Sequence, residues 1–184
     1  MSTYIEVVMD EHVNYENTVE KLKERKIELS DIAEITYYFQ LKYLPGLTKE
    51  IALHSVKRVL QKREVQHVVW VALELDRLTE EDKLKEPING VIKEDFGLFG
   101  VDELLGNAIA ASFGSIGFTG YGYVDNVKPG IIGKLDRLGK TNDHITTTFA
   151  DDIIGGIAAA AGSRLAQRYP NGFVDSIESD DEIE

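Results

Sequence analysis

Apolar residues recur at three- and four-residue spacing along most of this chain, the pattern of helices that each bury one face. Short β-branched runs such as Val68-Val69-Trp70-Val71 sit inside longer stretches of that period, so they read as buried helix rather than strand. A first helix is expected from about Asn14 to Lys26. Asp31-Ile32-Ala33-Glu34 has capping-box character and would open a second, ending near Leu44 ahead of Pro45-Gly46. Thr48 would cap a third, with Ile51, Ser55, Val56 and Val59 on one face. The pattern continues through Arg63 to about Leu78, as one long helix or two. A polar joint spans Thr79 to Pro87, and a short helix follows Pro87. Gly97 to Gly100 forms a turn into a helix near Asp102. Pro129 suits the first turn of another helix, with Gly139 as its stop signal. Thr148 would cap the last, which reaches about Arg168 before Pro170. The expected fold is therefore all-α: a single helical domain over 1–172, followed by an acidic tail over 173–184.

The second half differs in texture. Gly106, Ala110, Gly114, Gly117, Gly155, Gly156, Ala159 and Gly162 fall in or beside helical stretches. A glycine inside a helix costs about 1 kcal/mol relative to alanine, so repeated use points to helices whose backbones touch. Two segments repeat a motif: Asp102-Glu103-Leu104-Leu105-Gly106 and Asp151-Asp152-Ile153-Ile154-Gly155. Each has two acids, two aliphatics and a glycine, and each runs into an Ala-rich helix. In each, the glycine lies one turn beyond the first acid and shares its face, where it would let the two helices approach.

Charge and composition narrow the chemistry. The formal net charge is −12, and no cysteine is present. An acidic surface opposes nucleic-acid binding, and without thiols there are no disulfides or thiolate metal sites. No apolar run approaches the length of a membrane span, and the N-terminus lacks the order of a signal peptide. These features point to the cytosol, with membrane contact peripheral and transient at most. Homo-oligomerisation is compatible with the sequence. The tail from Asp175 to Glu184 carries acids and no base, as a disordered solubilising segment would.

Four carboxylates gathered by the two acid pairs would repel one another unless a cation held them. Hard oxygen donors without His or Cys favour Mg²⁺ or a similar ion. The plainer reading is that acids in a helix's first turn interact with its dipole, with Thr148 and Asp151 at capping-box spacing. Between the pairs lie Asp125-Asn126-Val127-Lys128-Pro129 and Asp136-Arg137. Lys128 and Arg137 could meet phosphate oxygens, and Asp125 and Asp136 could add ligands or a base. Alternatively this is a solvated turn, with Asp136 paired to Lys140. The histidines show no ligand spacing.

The ordered set Asp102-Glu103-x-x-Gly106, Asp125-x-x-Lys128-Pro129, Asp136-Arg137 and Asp151-Asp152-x-x-Gly155 resembles the phosphatidylglycerophosphatase A family. Arg63-Glu64-Val65-Gln66, Gly114-Ser115-Ile116-Gly117-Phe118 and Phe149-Ala150-Asp151-Asp152-Ile153 resemble its soluble branch in Gram-positive bacteria. The resemblance implies an all-α fold and Mg²⁺-dependent removal of the terminal phosphate from phosphatidylglycerophosphate. It places the family's acids at Asp102, Glu103, Asp125, Asp136, Asp151 and Asp152, with Lys128 as their basic partner. Membrane members also carry apolar spans and an N-terminal Pro-Gly-Thr-x-Gly-Ser-type motif, and neither is found here. The reading that follows is a phosphomonoester hydrolase acting on a phospholipid or small phosphomonoester. Asp102, Glu103, Asp151 and Asp152 would hold Mg²⁺ or Mn²⁺, Lys128 and Arg137 would neutralise phosphoryl charge, and Asp125 or Asp136 would act as base. The rivals are a non-catalytic helical module that binds a metal or an anion, and a helical nucleotide pyrophosphohydrolase.

Overall fold

The computed structural model describes residues 11–172, so the acidic tail expected over 173–184 lies outside the described residues. Among the described residues there are nine α-helices and no strands: α1 Glu11–Glu24, α2 Leu29–Gln40, α3 Lys49–Leu60, α4 Arg63–Glu80, α5 Ile88–Lys93, α6 Val101–Ala111, α7 Ser115–Val127, α8 Ile131–Thr141 and α9 Ala150–Arg168. The all-α expectation holds. The stretch left open as one long helix or two is two, α3 and α4, separated at Gln61-Lys62.

α9 is the axis of the fold. It packs against α2, α3, α4, α6, α7 and α8, and every residue from Ala150 to Ser163 is buried. A helix apolar on all sides must be enclosed, and Ile153, Ile154, Ile157 and the run Ala158 to Ala161 make it so. Its small residues allow close approach. A Cβ on Gly156 would collide with the carbonyl of Gly106 on α6, and one on Gly106 would lie 2.7 Å from the carbonyl of Asp152. The expected glycine contact between the two acid-bearing helices is present, but in a different register. Gly156, one turn beyond Asp152, makes it, whereas Gly155 faces the Tyr121 ring.

Several local expectations are corrected. The capping box that opens α2 is Glu28 with Asp31, where the Glu28 amide donates to Asp31 Oδ2 at 3.0 Å. Glu34 instead pairs with Lys49. Thr48 does cap α3, its hydroxyl accepting from the Ile51 amide. Pro129 precedes α8 rather than opening it, and α8 runs on past Gly139, which packs on Thr147. Thr148 does not cap α9. Its hydroxyl donates to the Ile92 carbonyl, and the amides of Phe149 and Ala150 are taken by Asp76 of α4. α7 was not expected as a helix at all: its glycines Gly117, Gly120 and Gly122 depress intrinsic propensity, and packing on α6 and α9 sustains it.

Candidate functional site

The crossing of α6 and α9 places the first turns of both helices side by side. Asp102, Asp151 and Asp152 are 5%, 5% and 6% exposed, an unusual burial for carboxylates. Glu103 is exposed beside Asp102. α7 adds Tyr121, whose hydroxyl donates to Asp152 Oδ1 at 2.5 Å, and Asp125 one turn further on. α7 ends at Lys128, held in the left-handed region at φ 45° and ψ 57°. Such a conformation costs a non-glycine residue about 1–2 kcal/mol. It goes with an ammonium set among acids from three elements: 2.8 Å from Asp151 Oδ2, 3.5 Å from Asp125 Oδ1 and 3.6 Å from Asp136 Oδ1.

The structure therefore brings together Asp102, Glu103, Asp125, Lys128, Asp136, Asp151 and Asp152. Arg137 stays outside: it is exposed, and its guanidinium lies over Gly133, one turn back on α8. Asp136 also receives Lys140 at 2.7 Å, the solvated i,i+4 pair anticipated for it.

Electrostatics follow from burial and crowding. Burial, and then the Glu103 side chain, push the Asp102 carboxyl up to about 7. Asp152 rises to about 8 through burial and the neighbouring charge of Asp151, with Asp102 adding to it. Asp151 rises through burial to about 6, held back by Lys128. Burial would lower the Lys128 ammonium, but Asp151, Asp152 and Asp125 outweigh it and lift it above the ordinary lysine range. Burial and then Asp152 raise the Tyr121 phenol, so it remains a donor. Burial would raise Asp136 too, but Lys140 and Lys128 hold it below the usual carboxylate range.

The donor set suits a hard divalent cation: buried carboxylates in excess of nearby cations, two of which hold protons near neutrality that a metal could displace. As the side chains stand, no group of three or more carboxylates or imidazoles among the described residues is arranged to hold a metal ion. Lys128 occupies the space between Asp125, Asp136 and Asp151, and Tyr121 engages Asp152. A polar cleft of about 410 Å³, with Lys93, Glu94, Asp95, Lys140, Asn142 and Asp143 on its walls, lies beside the cluster. It adjoins a small recess walled by Asp136, Asp151 and Thr148.

Three features of the site were not read from the sequence. Tyr121 orients Asp152, but it lies in a stretch not recognised as helix. Asp95, on the loop after α5, adds its charge to Asp151. Behind the site, Asp76 is fully buried and takes the Phe149 and Ala150 amides at 3.1 and 2.9 Å. Arg25 stands 4.0 Å from Asp76 and 2.8 Å from Glu80, and also donates to the Thr146 carbonyl. This network anchors the end of α9 that carries Asp151 and Asp152. An aspartate in the apolar repeat Leu73-Glu74-Leu75-Asp76 was the available signal.

Residues 28–167 match the family described as phosphatidylglycerophosphatase A. The Bacillus subtilis protein YutG is 49% identical over 148 residues, covering 80% of this chain and 87% of its own. YpjQ of the same organism is 41% identical over 152 residues, covering 83% and 84%. The crystal structure of the low temperature requirement C protein from Listeria monocytogenes superposes with a TM-score of 0.81 at 46% identity, covering 85% of this chain and 97% of that one. No helix among the described residues is long and apolar enough to cross a membrane.

Proposed function

The chain belongs to the phosphatidylglycerophosphatase A family, and on that premise we propose that it is a Mg²⁺-dependent phosphatase that removes the terminal phosphate of phosphatidylglycerophosphate. The observation that carries this reading is the burial of Asp102, Asp151 and Asp152 side by side at two helix starts, with Lys128 among the acids. A purely structural cluster gains little from burying several carboxylates against one lysine, because desolvation outweighs their attraction. A site that recruits a cation and a phosphate needs such an arrangement.

Asp102, Glu103, Asp151 and Asp152 would hold Mg²⁺ or Mn²⁺, which when bound would polarise the phosphate ester as a Lewis acid. Lys128 would turn from Asp125 and Asp136 toward the phosphoryl oxygens and neutralise charge that develops there. In the hydrolysis, a water oxygen bonds to phosphorus, the ester P–O bond breaks, and the glycerol oxygen leaves with a proton. Asp136, on the wall of the recess, is better placed than Asp125 to orient that water.

The direct test is release of inorganic phosphate from phosphatidylglycerophosphate in mixed micelles. Metal-dependent release by the wild type is the expected result. Equal background release with and without Mg²⁺, on lipid and on soluble phosphomonoesters alike, would leave a non-catalytic member of the family.

The metal is tested separately by heat. Asp102 and Asp152 sit at about 7 and about 8 in the folded chain, above the ~3.9 of an unfolded aspartate. The unfolded chain releases these protons first, so they stabilise the fold in mild acid and that stability is lost as pH rises through 7 and 8. The metal-free melting temperature should therefore fall between about pH 6 and pH 8. Mg²⁺ at about a hundred times its Kd should raise it by roughly 5–10 °C at the higher pH. The rise should be smaller at pH 6, where protons compete. A melting curve at pH 8 that ignores saturating Mg²⁺ and Mn²⁺ counts against the metal.

A further inference from the structure

Lys128 is fixed at its backbone and free at its tip. Its amide donates to the Val124 carbonyl at 2.8 Å, closing α7. A Cβ on Gly133 would lie 2.5 Å from the Lys128 carbonyl oxygen, so α8 packs directly on that peptide. From this anchored point a flexible four-carbon stem carries one compact charge, with three N–H donors and no acceptor. The side chain is 32% exposed, and its ammonium lies among Asp125 of α7, Asp136 of α8 and Asp151 of α9, at 3.5, 3.6 and 2.8 Å. The shortest contact falls on Asp151, the most buried of the three acids.

The acids therefore already hold one positive charge, supplied by the protein itself. A divalent cation that reaches Asp151 meets this ammonium on Oδ2 and is repelled by it, the more so because burial weakens screening. A phosphate meets the opposite obstacle, since the acids around the same ammonium repel an anion. Either ligand removes the obstacle to the other. A phosphate offers the ammonium new oxygens outside the acids, and a cation neutralises the acids that repel the phosphate. Because the Lys128 side chain is partly exposed, its tip can swing toward an arriving phosphate without any shift of the anchored backbone.

We infer that Lys128 is the resident counter-ion of this site and couples its two ligands, so that Mg²⁺ and a phosphate monoester bind together more tightly than either binds alone. The inference rests on the metal and phosphate reading of the acidic site and adds how that site is regulated: the metal is held firmly only while a phosphate holds Lys128. A phosphate that merely bridged to the metal would also bind cooperatively. Removing the ammonium would then leave Mg²⁺ by itself bound no more tightly, whereas a resident counter-ion that leaves makes room for it.

Calorimetric titration of the full chain with Mg²⁺, with and without saturating inorganic phosphate, reads the coupling once free concentrations are corrected for the complex the two form in solution. Phosphate should lower the wild-type Kd for Mg²⁺ by about 5- to 150-fold, and Mg²⁺ should lower the Kd for phosphate by the same factor. Lys128→Gln should bind Mg²⁺ alone roughly tenfold more tightly than the wild type does, with most of the phosphate enhancement gone. Equal wild-type affinity for Mg²⁺ with and without phosphate overturns the inference. So does a folded Lys128→Gln protein that binds Mg²⁺ alone no more tightly than the wild type. If Lys128→Gln does not fold, the wild type decides by NMR: phosphate added without metal should shift the side-chain resonances of Lys128, and resonances that stay fixed overturn the inference too. The failures are separable. A wild type that binds neither Mg²⁺ nor phosphate sinks the phosphatase and the coupling together. Coupled binding without release of phosphate from lipid or soluble monoesters sinks the phosphatase alone, and metal-dependent release with independent binding sinks the coupling alone.

Discussion

Asp152→Asn is expected to cut metal-dependent phosphate release by roughly a hundredfold or more, while the metal-free protein melts above the wild type at neutral pH, because the variant no longer has to take up a proton on folding. The two halves have one cause. Asp152 is pushed up to about 8 by burial and by Asp151, so near pH 7 the metal-free site holds it mostly as a neutral acid. Asparagine has nearly the same shape, and its Oδ1 can still accept the Tyr121 hydroxyl that Asp152 Oδ1 accepts at 2.5 Å. Nothing in the resting fold is lost. The charge that a divalent cation would draw out of that carboxyl is lost, and with it the melting-temperature rise caused by Mg²⁺. Lys128→Ala should also lose activity but differ in its melting. It removes one electrostatic contact to the transition state, a loss of about 10²–10³ in rate, and it also strips Asp151 of its partner at 2.8 Å. That variant should be destabilised above about pH 6, where Asp151 ionises. Phosphate release and thermal melting measured on both proteins separate the roles. If Asp152→Asn keeps full activity, Asp152 is not a metal ligand in any active form of the protein.

The parts of this molecule legible in the sequence are those governed by local pattern. Helical period marked the stretches of eight of the nine described helices, missing α7 and leaving open whether α3 and α4 were one helix or two, and Thr48 announced its own cap. The repeated acid-acid-x-x-Gly motif marked two helices that do cross, although of its two glycines only Gly106 meets the partner's backbone, and Gly156 rather than Gly155 makes the reciprocal contact. What stayed hidden depends on partners distant in sequence. α7 is rich in glycine and gains its stability from α6 and α9, so propensity spoke against it and Tyr121 went unnoticed. Thr148 had the spacing of a cap, but its hydroxyl found the Ile92 carbonyl, and the cap came from α4. Arg137 shares a helix with Asp136, yet adjacent residues on a helix point about 100° apart, and the guanidinium ended beside Gly133. Spacing fixed which residues could meet. Only the packing around α9 decided which of them do.

That packing makes Asp76 the position where one substitution should damage the fold most clearly. Asp76→Ala is expected to lower stability by about 3 kcal/mol or more, from two buried amides left without acceptors. For a domain of this size, this corresponds to a melting temperature roughly 6–12 °C lower. The side chain is fully buried, which pushes its carboxyl well above the usual carboxylate range, and it holds the Phe149 and Ala150 amides at 3.1 and 2.9 Å. Arg25 keeps its bond to Glu80 at 2.8 Å in the variant, so the loss comes from the helix end and not from a stranded guanidinium. Asp76→Asn should lose less, since one oxygen can still accept an amide while the new NH₂ faces the other. Glu80→Gln should lose least, because Glu80 is partly exposed and also accepts the Thr146 amide, which an amide oxygen can replace. The order Ala, then Asn, then Gln at Glu80, read by thermal or chemical denaturation, checks the argument. If Asp76→Ala melts within about a degree of the wild type, the amides of α9 have found other acceptors, and Asp76 is not the anchor that sets Asp151 and Asp152 in place.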